Sequence, residues 1–326
     1  MSTASTTHDG DFANRATFAG ADRAKLDDLD GVDVAIVGAP FDWGTTNRPG
    51  ARYGPAAIRR GDSFGAHASR PHLPTAIDPF EQLRIVDVGD FQLPLGYIEE
   101  SVAQIRDGIT RIASQGAAPL VLGGDHTITF PNAGGVADVH GHGEFALIHF
   151  DAHADTGETQ HGRLLGHATP MRRLIESGAV PGRRFVQIGL RGYWPPPEVV
   201  AWMREQEMRT YLMTEILDRG LAPVVDEALE YALSGVSKAF ISVDIDVVDP
   251  GMAPGTGTPE PGGLTSRELL HTLRRIAREL NVVGADVVEV SPPYDGPGEI
   301  TSILANRVVL EILNGMAERK VADTPA

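Results

Sequence analysis

Short apolar runs rich in β-branched residues recur along the chain, with stretches of helical periodicity between them. Asp33–Val37, Leu83–Val88, Pro119–Leu122, Phe145–Phe150, Phe185–Leu190, Arg209–Met213, Ala239–Val243 and Val283–Val290 read as eight strands. Ser101–Ser114, Met171–Ser177, Pro196–Glu205, Leu221–Leu233, Ser266–Leu280 and a last segment near Thr301–Ala317 read as helices. This alternation of strand and helix argues for a mainly parallel sheet covered by helices on both faces. Two stretches, Asp42–Pro55 and Pro250–Gly263, hold too much Gly and Pro for helix and read as long loops at the strand carboxyl ends. Residues 1–30 read as an N-terminal arm that could pack on a neighbouring subunit, and 31–326 as one catalytic domain.

Composition narrows the partners. Lys and Arg number 28 against 44 Asp and Glu, a formal charge of 28 − 44 = −16 that bound divalent cations would partly offset and that would attract a cationic substrate. No basic run points to nucleic acid, and no uninterrupted apolar stretch is long enough to span a membrane. With no cysteine, disulfides and thiolate chemistry are excluded. Met1–Asn14 is polar, without a signal-peptide core, so the expected location is cytoplasmic.

Candidate chemistry lies in three separated segments: Gly123-Gly-Asp-His126, Asp151-Ala-His-Ala-Asp155 and Asp244-Ile-Asp246. Each follows a strand. Period-two alternation on an extended chain would point Asp151, His153 and Asp155 to one side, and Asp244 and Asp246 likewise. His126 falls near the start of a further helix. The six groups exceed the needs of one ion, and carboxylates able to bridge suggest two cations about 3.5–4 Å apart, a pair that makes water nucleophilic at neutral pH. Any one cluster could simply cap a helix or turn, and Asp125 reads that way, as a residue that orients its loop. Three converging clusters without a cation would repel and raise each other's pKa values.

These signatures, with Ser242-Val-Asp-Ile-Asp-Val-Val-Asp-Pro250 as the third, resemble those of the ureohydrolases, the arginase–agmatinase superfamily. Arg48–Arg59 and Ala253–Leu264 look like the agmatinase branch, which includes agmatinase, guanidinobutyrase and proclavaminate amidinohydrolase. The resemblance implies a three-layer α/β/α sandwich with a mainly parallel eight-stranded sheet, two Mn²⁺ per subunit (Ni²⁺, Co²⁺ or Zn²⁺ being chemically possible) and a homotrimer or homohexamer. One metal would take His126, Asp151, Asp155 and Asp244; the other would take Asp151, His153, Asp244 and Asp246. His167 would transfer a proton, Glu289 would hold the substrate guanidinium, and Thr258 would lie beside it.

A guanidinium carbon is a poor electrophile because its charge is shared over three nitrogens, so attack needs a strong nucleophile and a protonated leaving amine. The implied reaction is hydrolysis of a linear guanidino compound to urea and an amine. Residues 156–166 would read the substrate tail, with Glu158 suited to the cation of agmatine, Arg163 to the carboxylate of a guanidino acid such as 4-guanidinobutyrate, and His161 also within the loop. The acid is slightly preferred, because Arg163 stands closer to His167. Departures from the family pattern are Thr127 for a common Ser and Ala168 for a common Gly; if position 168 needs positive φ, the loop must differ. Competing readings are a hydrolase of guanidine itself, a formiminoglutamase or deacetylase-like hydrolase on the same scaffold, and a non-catalytic homologue serving as a regulatory subunit. His149 reads as core or as a partner of the ligands; His67, His72, His140 and His142 read as surface.

Overall fold

Side chains that alternate along each strand sort into two hydrophobic cores, one on each face of a single sheet. In the computed structural model, which describes residues 17–62 and 69–324, the strands are β1 (Asp22–Arg23), β2 (Val34–Gly38), β3 (Ile85–Asp90), β4 (Ala118–Leu122), β5 (Ala146–Phe150), β6 (Phe185–Leu190), β7 (Arg209–Leu212), β8 (Lys238–Asp244) and β9 (Asn281–Val288). The longer helices are α1 (Gly54–Arg60), α2 (Pro79–Gln82), α3 (Ile98–Ser114), α4 (Thr129–His140), α5 (Pro170–Glu176), α6 (Pro197–Glu205), α7 (Met213–Arg219), α8 (Leu221–Ala232), α9 (Ser266–Glu279) and α10 (Ile300–Asp323). Ile36, Leu122, Ile148, Val243 and Val287 face a core closed by α8, α9 and α10. Val37, Val121, Leu147, Phe240 and Val288 face the opposite core, closed by α3, α4, α5 and α6.

Every strand pairing is parallel, in the order β1-β3-β2-β4-β9-β8-β5-β6-β7. The sheet therefore has nine strands rather than the expected eight. The ninth, β1, spans two residues and extends the edge beside β3, with Asp22 opposite Val86. Of the expected arm, residues 17–30 lie on the fold, with Phe18 and Leu29 fully buried and the Phe18 N–H donating to Asp87 Oδ2 at 2.7 Å. Residues 1–16 are outside the described residues.

The helix expected near His126 forms as α4, against its composition, while α1 departs from the sequence reading. α4 contains Pro131, Gly134 and Gly135, all poor for helix, yet it packs so closely on α3 that a Cβ at Gly135 would lie 2.8 Å from the Arg106 carbonyl oxygen and 2.9 Å from Ile109. Close packing overrides propensity here. The Asp42–Pro55 stretch is loop only to Gly50; a 3₁₀ turn at Ala51–Tyr53 runs into α1, with Pro55 in its first turn where a missing N–H costs nothing. α10, long and apolar enough by composition to cross a membrane, is instead packed against α9 and the sheet.

The connection that matters for function leaves β4 and returns as β5, three places across the sheet; β9 and β8 later fill the gap. The carboxyl ends of β4, β9, β8 and β5 are consequently neighbours, and an open α/β sheet places its site at such a break in strand order.

Candidate metal centre and active site

Each of those four strand ends contributes polar side chains to one buried cluster. His126 follows β4, Asp151, His153 and Asp155 follow β5, Asp244 and Asp246 come at the end of β8, and Glu289 follows β9. The convergence is not produced by period-two alternation. Asp151 and Asp244 each accept the backbone N–H two residues on, from His153 at 2.6 Å and from Asp246 at 2.9 Å, and so turn the chain at once. Asp246 lies in a 3₁₀ turn, and Asp155 has φ +52°, a left-handed conformation that a Cβ disfavours. Side chains that an extended chain would separate are folded back onto one centre.

His126 Nδ1 lies 3.0 Å from Asp151 Oδ2, 3.0 Å from Asp155 Oδ2 and 3.1 Å from Asp244 Oδ2. His153 Nδ1 lies 3.0 Å from Asp246 Oδ2 and 3.6 Å from Asp151 Oδ1. An octahedral ion with bonds of about 2.1 Å holds adjacent ligand atoms about 3.0 Å apart, so both groupings have the spacing of ligand shells. His126 Nδ1 is buried and faces these three carboxylate oxygens without a well-aligned hydrogen bond to any described residue, while its Nε2 is held by Ser242 Oγ at 3.1 Å. This is the arrangement of an imidazole whose free nitrogen is turned toward a cation. The donor set, carboxylates with two imidazoles, fits a pair of divalent cations.

Electrostatics points the same way. Burial, reinforced by neighbouring carboxylates, raises Asp244 well above the usual carboxylate range and raises Asp246 as well. Burial also opposes charge on Asp151, but His149, His126 and His153 hold it well below that range. For His126 and His153 burial works against the charged form, and the surrounding carboxylates outweigh it, lifting His126 well above its ordinary value and His153 to about 12. The cluster demands positive charge at its centre, and cations taking these ligands displace those protons.

The parts around the metal ligands are tied together by His149, which the sequence read as core or as a partner of the ligands, and by Gln187 and Arg191, which it did not single out. His149 Nε2 is 2.8 Å from Asp151 Oδ2, its Nδ1 is 3.0 Å from Gln187 Nε2, and its ring meets His126 edge-on. Arg191 donates to the carbonyls of Gly189, Asp246, Val247 and Glu260, fastening β6 to the end of β8 and to the 250–263 loop. Asp125 takes the role read for it: it accepts the Thr127 N–H at 2.9 Å and the Gly44 N–H at 2.8 Å, pinning the 42–50 loop over the site. Burial and the charge of Glu289 push its carboxyl up to about 7. Gly124 is required beside it, since a Cβ there would collide with the backbone of Phe41.

Glu289 sits at φ +61°, again left-handed. Its Oε1 accepts the His126 N–H at 2.8 Å and lies 3.0 Å from His167 Nδ1; its Oε2 is buried without a partner among the described residues. His167 is 7% exposed. Burial opposes its charge, but the hydrogen bond and charge of Glu289, with Asp125 and Asp155 behind, raise it to about 9. Strain at Asp155 and Glu289 is the kind of backbone cost that persists where a site needs it.

The outer residues lie apart from this cluster. His161 (φ +50°) and Gly162 (φ +76°) form the tip of a two-residue hairpin closed by the backbone pair Gln160–Arg163, and Glu158, His161 and Arg163 are all exposed. The charge of Glu158 is felt by Arg173 on α5. Thr258 Oγ1 reaches Asp246 Oδ2 at 3.4 Å, so it touches a metal-ligand carboxylate. Ala168 is not in the left-handed region, and its N–H donates to Gln160 Oε1 at 3.0 Å. Gln160, absent from the sequence reading, also donates from Nε2 to the Gly44 carbonyl, joining the hairpin to the 42–50 loop. Among histidines read as surface, His142 is exposed, His72 and His140 are half-buried, and His67 is outside the described residues.

Comparison with known proteins bears directly on this centre. The arginase family matches residues 32–314. A mitochondrial agmatinase of Gallus gallus is 41% identical over 286 residues, covering 87% of this chain and 81% of its own. A mitochondrial guanidino acid hydrolase of Homo sapiens is 40% identical over 284 residues, covering 87% and 78%. The solved structure of proclavaminate amidinohydrolase from Streptomyces clavuligerus superposes with a TM-score of 0.83 at 36% identity, over 94% of this chain and 100% of that one. With the ligand cluster in place on the same fold, the chain belongs to the arginase family, the ureohydrolases, and is a hydrolase built around a binuclear metal site.

Proposed function

We propose that this chain hydrolyses a linear guanidino compound to urea and an amine, with a guanidino acid of the 4-guanidinobutyrate type preferred over agmatine, and with two Mn²⁺ held by His126, Asp151, Asp155, Asp244, His153 and Asp246. The observation that carries the reading is the free oxygen of Glu289. A buried carboxylate oxygen without a partner, beside a proton-carrying histidine and a metal-ligand cluster, is complementary to a planar cation that donates N–H groups. When bound, two divalent cations lower the pKa of water so that it attacks at neutral pH, and offset the charge that develops.

The chain's own residues supply the remainder. Glu289 Oε2 accepts from the guanidinium and fixes its carbon over the cluster, while Oε1 stays engaged with the His126 N–H and His167. The leaving nitrogen needs a proton, and His167, held in its charged form to about pH 9, carries one. The 42–50 loop, held by Asp125 and by the Gln160 bridge, keeps Thr46 against His167. The preference for an acid rests on Arg163, whose exposed guanidinium stands on the rim with a fork suited to a carboxylate. A urea-release screen of Mn²⁺- and Ni²⁺-loaded protein against 4-guanidinobutyrate, agmatine, arginine, guanidine and formiminoglutamate tests the proposal. Urea from the acid at the highest kcat/KM is expected; turnover confined to formiminoglutamate, or none at all, overturns it.

A further inference from the structure

The 42–50 loop does more than wall the site: its contact with the imidazole of His167 is two-sided. Thr46 Oγ1 lies 2.7 Å from His167 Nε2, and the Thr46 backbone N–H points at the same nitrogen from 3.1 Å. Among the described residues the other ring nitrogen, Nδ1, meets only the carboxylate oxygen Glu289 Oε1, at 3.0 Å. These two surroundings differ in kind. A carboxylate can only accept, so Nδ1 is stable only with its proton on. A hydroxyl can accept and an amide N–H can only donate, so Nε2 has a partner whether or not it carries a proton. The loop holding Thr46 is fixed independently, by the Gly44 N–H on Asp125, by the His167 N–H donating to the Gly44 carbonyl at 3.1 Å, and by Asn47 Nδ2 donating to the Gly257 carbonyl at 3.3 Å.

Resting on the amidinohydrolase reading above, we propose that Thr46 is a positioning residue that makes Nε2 of His167 the nitrogen that gives up and regains the catalytic proton, while Nδ1 keeps its own. As the C–N bond breaks, its electron pair stays on the leaving nitrogen, which takes the Nε2 proton. The ring is left neutral with its lone pair on Nε2, where the Thr46 N–H now donates. A proton from water restores the imidazolium, and the Thr46 hydroxyl again accepts from it. The charged groups facing this ring are Glu289, Asp125 and Asp155; all three favour the imidazolium, while burial and the donor from Thr46 favour the neutral form.

Thr46→Val removes the hydroxyl and keeps the amide, while Thr46→Ser keeps both. Loss of one hydrogen bond to a charged group predicts that Thr46→Val lowers kcat by about tenfold. KM should stay within about twofold, because the residue does not bind the ground state. Without the acceptor the imidazolium is less favoured, so the alkaline limb of the kcat profile moves to lower pH. Thr46→Ser should restore both quantities. A turnover-independent readout is the ¹⁵N–¹H spectrum of histidine-labelled protein loaded with diamagnetic Zn²⁺: the neutral His167 ring should carry its proton on Nδ1. An Nε2–H neutral ring, or a Thr46→Val enzyme with unchanged kcat and pH profile, overturns the proposal. If no guanidino compound yields urea, the proposed function fails, and the spectrum still decides the role of Thr46.

Discussion

The floor of the site and its outer rim are built on opposite principles. On the floor, His126, Asp151, Asp155, Asp244, Asp246 and Glu289 sit at four adjacent strand ends, nearly all buried, each held by backbone turns or by neighbours such as Ser242, His149 and Arg191. On the rim, Glu158, His161 and Arg163 ride on one tight hairpin with their side chains in solvent, and its main anchor is Gln160. A cluster of like charges needs a rigid frame, because a small relaxation would let the carboxylates move apart. A rim that reads a substrate tail needs only a stable backbone from which side chains can be exchanged. Under the proposed function the floor would fix the chemistry of this enzyme, and the rim would select the substrate.

The sharpest way to break this comparison is to remove a carboxylate shared by both ligand groupings. Asp151→Asn and Asp244→Asn should each lower kcat/KM by roughly 10⁴-fold or more. Metal analysis after dialysis should show fewer than two ions per chain; full occupancy with full turnover would overturn the shared role. Because metal uptake displaces protons from His126 and His153, it should release protons on binding and weaken as pH falls, which calorimetry in buffers of different ionisation enthalpy will show.

Next in size is the proton carrier. His167→Ala should cost about 10²–10⁴ in kcat with both metals retained. In the unaltered enzyme the sign is set by a raised pKa: the ring is charged below about 9 and loses its proton as pH rises through that value, so kcat should fall on the alkaline side. A kcat that keeps rising past that pH would assign the proton to another group.

Smaller effects belong to the rim. Arg163→Ala should raise KM for 4-guanidinobutyrate about tenfold and leave KM for agmatine within about twofold. Glu158→Ala should do the reverse if agmatine is the substrate. Neither should move the melting temperature appreciably, since both side chains are exposed. Smallest is Gln160→Ala. It removes one neutral hydrogen bond between rim and wall and one between the hairpin and Ala168, so kcat/KM should drop by about fivefold and proteolysis should begin at the hairpin. Equal losses in the Arg163 and Asp151 variants would erase the distinction between rim and floor.

Much of this was legible beforehand because it depends on local pattern. The bounds of β2 to β9 fall within two residues of the predicted runs, since burial of both sheet faces writes itself as largely apolar, β-branched sequence; β1, two exposed residues, left no such run. α4 was less legible because its glycines serve contact with α3 rather than helix propensity. At the site, residue type announced the ligands, yet the route by which Asp155 and Asp246 arrive, through a left-handed residue and a 3₁₀ turn, leaves no mark on the sequence. Thr46, Gln160, Arg191 and Ser242 are ordinary polar residues whose roles depend on partners more than 50 positions away.

By itself, then, the sequence determined the alternation of strand and helix, the three ligand-bearing segments and the reaction class, because each is carried by residue types at short spacing. Tertiary structure alone decided that β9 and β8 enter between β4 and β5 and bring those segments together. It also decided that Glu289 keeps one oxygen free of partners among the described residues, and that His167 meets a carboxylate on one nitrogen and Thr46 on the other. Those facts are distances between groups far apart in the chain. They are set by how two hydrophobic layers close on one twisted sheet, a quantity that no local pattern encodes.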